Sequence, residues 1–212
     1  MPLFPLGTVL FPGVLLPLHV FEERYRRLVR DLQDRPEDQQ QIGVIAIREG
    51  REVGPEGIAA LHPVGCVAQL RRVEAYPDGR FDIVTTGSHR FRLVSLVEGK
   101  PYLQGEVELL DDPPGADADA TAITVTDAFV TYLDAVGAEV DDEAPRDPTT
   151  LSYLVAASTV LELTDKQRLL QAPDTTSRLL TELALLRREV SLLSLLPSLP
   201  AVELTRMPAS PN

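Results

Sequence analysis

The stretch PLFPLGTVLFPGVLLPLHVFEERYRRLV, residues 2–29, decides how the rest of the chain is read. It is apolar, yet it carries prolines at 2, 5, 12 and 17. A signal peptide needs about 7–15 unbroken apolar residues and a membrane span needs about 20. Neither fits here, because no basic segment precedes Leu3, the prolines interrupt the run, and His19, Glu22 and Glu23 arrive before a span could be completed. Proline lacks a backbone donor and is tolerated in sheets at edges, strand starts and bulges. The stretch therefore reads as folded structure in a cytoplasmic protein: extended pieces over 3–6 and 9–11, a turn at Phe11-Pro12-Gly13, and a strand over 14–20.

After Val20 the period changes. Phe21, Tyr25, Leu28, Val29 and Leu32 fall on one face of a helix. The opposite face offers Glu22 with Arg26 and Glu23 with Arg27 as i,i+4 pairs, each worth a few tenths of a kcal/mol. From Ile42 the pattern is β, through IGVIAI, VGCVAQLRRVEAY, a PDGR turn, FDIVTTGSHRFRLVSLVE and YLQGEVELL. This predicts a mainly antiparallel sheet with a loop over 48–63.

DDPPGADADA, residues 111–120, has no large apolar side chain and reads as a linker. Four helices are expected beyond it. The first covers about 119–137, with Ile123, Phe129, Val130, Leu133 and Val136 as its apolar side, and an acidic loop, EVDDEAPRDP, follows. Asp147 caps a second helix with Pro148 at its first position, running to about 163. Thr164 and Gln167 have capping-box spacing for a third, and Asp174 caps a fourth reaching about 196. In the last helix Leu179, Leu183, Leu186, Val190 and Leu193 form a bundle seam. A second stripe, Leu180, Leu185, Leu192 and Leu196, needs further cover from the domain itself or from a partner such as a second copy.

The 212 residues are 44% hydrophobic, enough for a sizeable core. The net charge of −12 is concentrated, since residues 111–150 hold 11 acids and only Arg146 as a base. No basic cluster outweighs that block, which argues against nucleic-acid binding. The single cysteine, Cys66, excludes an intrachain disulfide and reads as a small buried hydrophobe.

Catalytic signatures are missing. The two lysines, Lys100 and Lys166, lie in no phosphate-binding loop, and no GxGxxG, GxSxG or HExxH occurs. The three histidines, His19, His62 and His89, have no local metal-ligating partners, so no metal or cofactor is expected. A Ser-Lys site would need Ser88, Ser95 or Ser158 beside a desolvated lysine, which nothing in the local sequence supplies.

The opening stretch, SHRFRLVSL, and LTDKQRLLQAPDTTSRLLTELALLRRE resemble, in that order, motifs of the amino-terminal domain of Lon protease. The resemblance covers residues 2–196. It implies an α+β fold: a PUA-like β-rich subdomain, a pseudo-barrel with one helix, followed by an α-helical bundle. It is related in fold to the domain in cereblon. The boundaries expected are 1–112, 113–200 and a tail over 201–212. Pro5, Leu6, Phe11, Pro12, Gly13, Pro17, Leu18, Phe21, Tyr25, Gly87, Arg90, Phe91 and Arg92 match the family in type, with folding as their expected role.

The sequence stops where Lon continues into its ATPase and peptidase modules, so a stand-alone member without them is expected. The implied function is a non-catalytic polypeptide-binding module, an adaptor for unfolded proteins or for a separate ATP-dependent protease. A hydrolase with a non-standard site and a PUA-like RNA-binding protein are the alternatives. Peptide contacts are expected at Phe4, Phe11, Pro12, Leu185 and Leu192, near the FPG turn or in a groove between the subdomains.

Overall fold

The computed structural model describes residues 1–48, 57–138 and 144–195. Parts of the 48–63 and 139–148 loops, Leu196 and the 201–212 tail lie outside the described residues. Six strands come first: β1 (Leu3–Leu6), β2 (Leu15–Val20), β3 (Gln41–Ala46), β4 (Val64–Ala75), β5 (Phe81–Val97) and β6 (Gln104–Leu110). Helix α1 (Glu23–Gln33) lies between β2 and β3. Four helices follow: α2 (Ala118–Val136), α3 (Pro148–Ser158), α4 (Leu163–Leu170) and α5 (Thr175–Leu195).

The strands form one mixed sheet in the order β1-β3-β4-β5-β2, with β6 also on β5. The long β5 serves both neighbours: its first part, from Phe81 to Thr86, pairs with β2, and its second, from Arg90 to Val97, pairs with β6. Register shifts between Cys66 and Ala68, Leu70 and Arg72, and Leu93 and Ser95 let the sheet curl. An antiparallel bridge from Pro2 to Gln104, with Leu3 N–H donating to Leu103 O at 2.8 Å, brings β1 against β6 and seams the curl.

Successive residues feed opposite faces. Phe4, Val44 and Cys66 enter a core closed by Tyr25, Leu28, Val29 and Leu32 of α1, whereas Leu3, Ile45 and Val67 enter a second core around Phe91 and Leu93. That two-sided burial explains why β3 and the start of β4 read as unbroken apolar runs rather than as alternation. The helices hold a third core, in which Val125, Phe129 and Tyr132 of α2 meet Leu151, Val155, Leu179 and Leu186.

The sheet is mainly antiparallel, as expected; among the described strand pairs β1–β3 is parallel, because β2 and α1 form a crossover between them. Other expectations change. Residues 9–11 are not a strand: they descend onto β5, where Gly13 N–H donates to Gly87 O and Gly87 N–H to Val14 O, each at 2.9 Å. The turn itself is as expected, with Gly13 at φ +80°. Phe21 precedes α1 and is 62% exposed instead of packing the helix onto the sheet. Glu23 pairs with Arg26 and Arg30, and Arg27 with Asp31, so the charged face exists with other partners.

On α2 the buried side is Ala122, Val125, Phe129 and Tyr132, and Ile123, Val130 and Val136 face outward. Small and aromatic side chains fill the seam because α5 packs closely along it. Helix α3 stops at Ser158 rather than near 163. Gln167 caps nothing; its amide is buried and donates to Val64 O of β4 at 2.8 Å. The Asp147 and Asp174 caps do form, accepting from Thr150 N–H and Ser177 N–H at 2.7 Å.

Candidate functional site

The two ends of the sheet path, β1 and β2, do not pair with each other. Between them and the start of α1 lies a cleft of about 500 Å³, lined by Phe4, Pro5, Leu6, Leu18, His19, Val20, Phe21, Glu22, Arg24, Tyr25 and Ile47. Its size is that of an ordinary ligand site, and most of its wall is apolar. The floor is the Phe4–Tyr25 stack, with ring centroids 4.2 Å apart. Phe21 stands exposed at the cleft, and Leu15, 63% exposed, continues the apolar surface along β2.

Local sequence builds this edge. Val14 O accepts from Gly87 N–H, so Leu16, Leu18 and Val20 share its side of the ladder while Leu15, Pro17 and His19 turn their backbone outward. Pro17 occupies an outward position, where its missing N–H breaks no ladder bond. It also interrupts the edge as a template for another strand. What this edge offers is therefore chiefly side-chain surface, from Leu18, Phe21 and the cleft floor.

The rim is polar and already ordered. Arg24 pairs with Glu22 at 2.8 Å and lies 4.7 Å above the Tyr25 ring. His19 Nδ1 is 2.6 Å from Asp82, whose other oxygen accepts from Tyr76 Oη at 2.6 Å. Those two hydrogen bonds, from Tyr76 first and His19 second, hold the Asp82 carboxyl below the usual range. No group of three or more metal-ligating side chains occurs among the described residues. A larger hollow of about 740 Å³ runs along β4, where Gln41 donates to Gln69, Gln69 to Glu37 O and Gln40 O, and Gln40 to Arg35 O.

Part of the boundary between the β-rich region and the helices is a filled joint, and beside it a hollow of about 480 Å³ is lined by His62 and by Thr164, Gln167, Arg168 and Thr181 of the helices. Phe11 (1% exposed) and Leu185 (6%) share a core with Val64, Tyr153, Ala156, Leu169 and Leu170. Arg90, among the residues expected to serve folding, is buried and donates to Leu170 O at 3.0 Å and Ala172 O at 2.6 Å. Arg178 is fully buried, donating to Leu169 O at 3.2 Å and Ser152 Oγ at 2.9 Å. These guanidinium groups donate to carbonyls where α4 ends, of which Leu169 O also accepts from Ala172 N–H.

Of the five residues expected to touch peptide, Phe4 lies in the cleft floor, Phe11 and Leu185 lie in the joint, Pro12 is half-buried in its turn, and Leu192 is 51% exposed on α5. Only Phe4 reaches the cleft. Leu18 and Phe21 were legible as apolar residues, but their place in a cleft depends on β1 arriving opposite β2. The one usable sequence signal was Pro17 in an otherwise apolar strand, which marks an edge.

A curled mixed sheet plugged by one helix, joined through a buried arginine pair to a helical bundle, defines an α+β class of domain. Residues 1–188 match the family described as the ATP-dependent protease La (LON) substrate-binding domain, and the chain belongs to that family. The Lon protease of Anaeromyxobacter dehalogenans is 30% identical over 205 residues, covering 92% of this chain and 24% of that protein. The chain thus spans about a quarter of such relatives. Among solved structures, a Lon N-terminal domain protein from Xanthomonas campestris superposes with a TM-score of 0.63 at 25% identity, covering 87% of this chain and 96% of that one. The N-terminal domain of Mycobacterium avium complex Lon protease gives 0.65 at 19%, covering 90% and 97%, and shares the fold. No described helix is long and apolar enough to cross a membrane.

Proposed function

We propose that this domain is a non-catalytic polypeptide-recognition module that holds extended apolar segments in the β1–β2 cleft. On this reading it serves as an adaptor that delivers unfolded chains to an ATP-dependent protease activity. Membership of the substrate-binding family supports recognition of polypeptide. The observation that carries the cleft is Phe21, 62% exposed at the mouth of a pocket floored by the Phe4–Tyr25 stack. A large apolar side chain left in water beside an apolar cleft marks a binding surface. The same proposal treats residues 1–112 and 113–200 as two subdomains, with recognition assigned to the first.

Calorimetry with a reduced, carboxymethylated protein that cannot refold is the test. Binding is expected with a negative heat-capacity change and little salt dependence, as burial of apolar surface requires. Phe21→Ser and Leu18→Asp should each weaken it by about tenfold or more, the effect of losing a central apolar contact. Leu192→Ser on α5 should leave it unchanged. If the Leu192 variant alone loses binding, the site is on the last helix and the cleft assignment is wrong; if no form binds, polypeptide recognition itself is wrong.

A further inference from the structure

We propose that the outward face of α2 is a docking surface for a basic amphipathic helix, separate from the cleft. Helix α2 is apolar on two sides. Its inner side, Ala122, Val125, Phe129 and Tyr132, is consumed by the helical core. Its outer side carries Asp119, Ile123, Asp127, Val130 and Asp134, whose spacings of four, four, three and four place them in one stripe. Ile123 is 67% exposed and Val130 43%. Aliphatic side chains repeated at helical spacing are the anchors expected of a helix-in-groove contact.

The stripe also states the charge of its occupant. No ion pair with a described residue engages Asp119, Asp127 or Asp134, and α2 contains no basic residue. Residues 111–138 hold six acids and no base, and of the six Asp112 is engaged by Arg90 and Arg178. A second copy of this chain docked symmetrically on the stripe would set aspartate against aspartate, which disfavours self-association. A helix with aliphatic residues at i, i+3 or i+4 and i+7, flanked by lysine or arginine, meets both features. Beside the stripe, a groove of about 290 Å³ between α2 and α5, walled by Thr131, Leu183 and Val190 with Asp127 on the α2 side and Arg187 on the α5 side, offers room for the aliphatic side chains of such a helix, its basic residues lying over the aspartates of α2.

The test uses two labelled peptides of leucine at helical spacing, one filled with lysine and one with glutamate, measured by fluorescence anisotropy. The lysine peptide should bind and the glutamate peptide should not. An Ile123→Ser/Val130→Ser variant should bind the lysine peptide about tenfold more weakly. A variant with Asp119, Asp127 and Asp134 replaced by Asn should weaken it and flatten its salt dependence. These side chains are exposed, so thermal melts should show an intact fold. Phe21→Ser in the cleft should have no effect, which separates this surface from the proposed recognition site. Equal binding of both peptides, indifference to both α2 variants, or a dimer in sedimentation that Ile123→Ser dissolves would each overturn the proposal.

Discussion

The carboxylate of Asp112 accepts a hydrogen bond at 2.9 Å from Arg178, a guanidinium with no exposed surface at all. The same oxygen lies 2.8 Å from Arg90, and Tyr153 Oη donates to the carboxylate at 2.6 Å. One acid therefore pairs with two buried arginines, one from β5 and one from α5, and backbone carbonyls accept from both guanidinium groups as well. Removing one partner of a buried pair leaves an uncompensated charge in low dielectric, at about 3–5 kcal/mol. Asp112→Ala should cost that much in urea denaturation. A loss under about 1 kcal/mol, the worth of an exposed pair, would show that the joint is solvated.

Glu182 on α5 is 1% exposed, and neither carboxylate oxygen has a hydrogen-bond partner among the described residues. Burial raises its pKa well above the ordinary value, against a smaller pull from Arg178. The neutral form is the one the fold favours, so the stabilising contribution is present below the unfolded pKa and lost as pH rises through the folded one. Glu182→Gln should match the parent near pH 4 and exceed it at pH 8 by about 1–3 kcal/mol, the cost of a buried unsatisfied group. Parallel stability curves from pH 4 to 8 would contradict this.

Cys66 is fully buried on β4, and burial pushes its thiol up to about 12. The thiolate is the reactive form, so at neutral pH it is scarcely populated as well as inaccessible. Labelling by a disulfide-exchange reagent should be negligible in the folded protein and complete in denaturant. Rapid native labelling would mean that the sheet opens locally at β4.

The FPG turn rests directly on Gly87, where an added Cβ would collide with the carbonyl oxygen of Phe11. Backbone cannot swing aside as a flexible side chain does, so Gly87→Ala should lose about 1–3 kcal/mol, the range for overpacking. Gly7→Ala, where a Cβ would meet nothing within 4 Å, is the matched control and should change little. Equal effects at both sites would remove the packing explanation.

Much of the chain's organisation is local and was therefore legible in the residues. Period-two and helical patterns placed most of the strands and helices, Asp147 with Pro148 and Asp174 marked two helix starts, and the Pro12-Gly13 pair marked a turn; each depends on side chains within a few positions of one another. The motif resemblance carried the α+β architecture further than periodicity could. What a side chain meets across the fold has no such local signature. An arginine destined for a buried joint reads like one destined for water, so nothing local marks Arg90 or Arg178 as joint residues, and the capping-box spacing of Gln167 carries no sign of its true partner, Val64 O. The parallel β1–β3 pair, the rotation of α2 and the withdrawal of Phe11 and Leu185 into the core have the same origin. An apolar pattern specifies that a face must be covered, and only the tertiary arrangement decides by what; the cleft between β1 and β2 exists because those two edges are left facing each other without pairing.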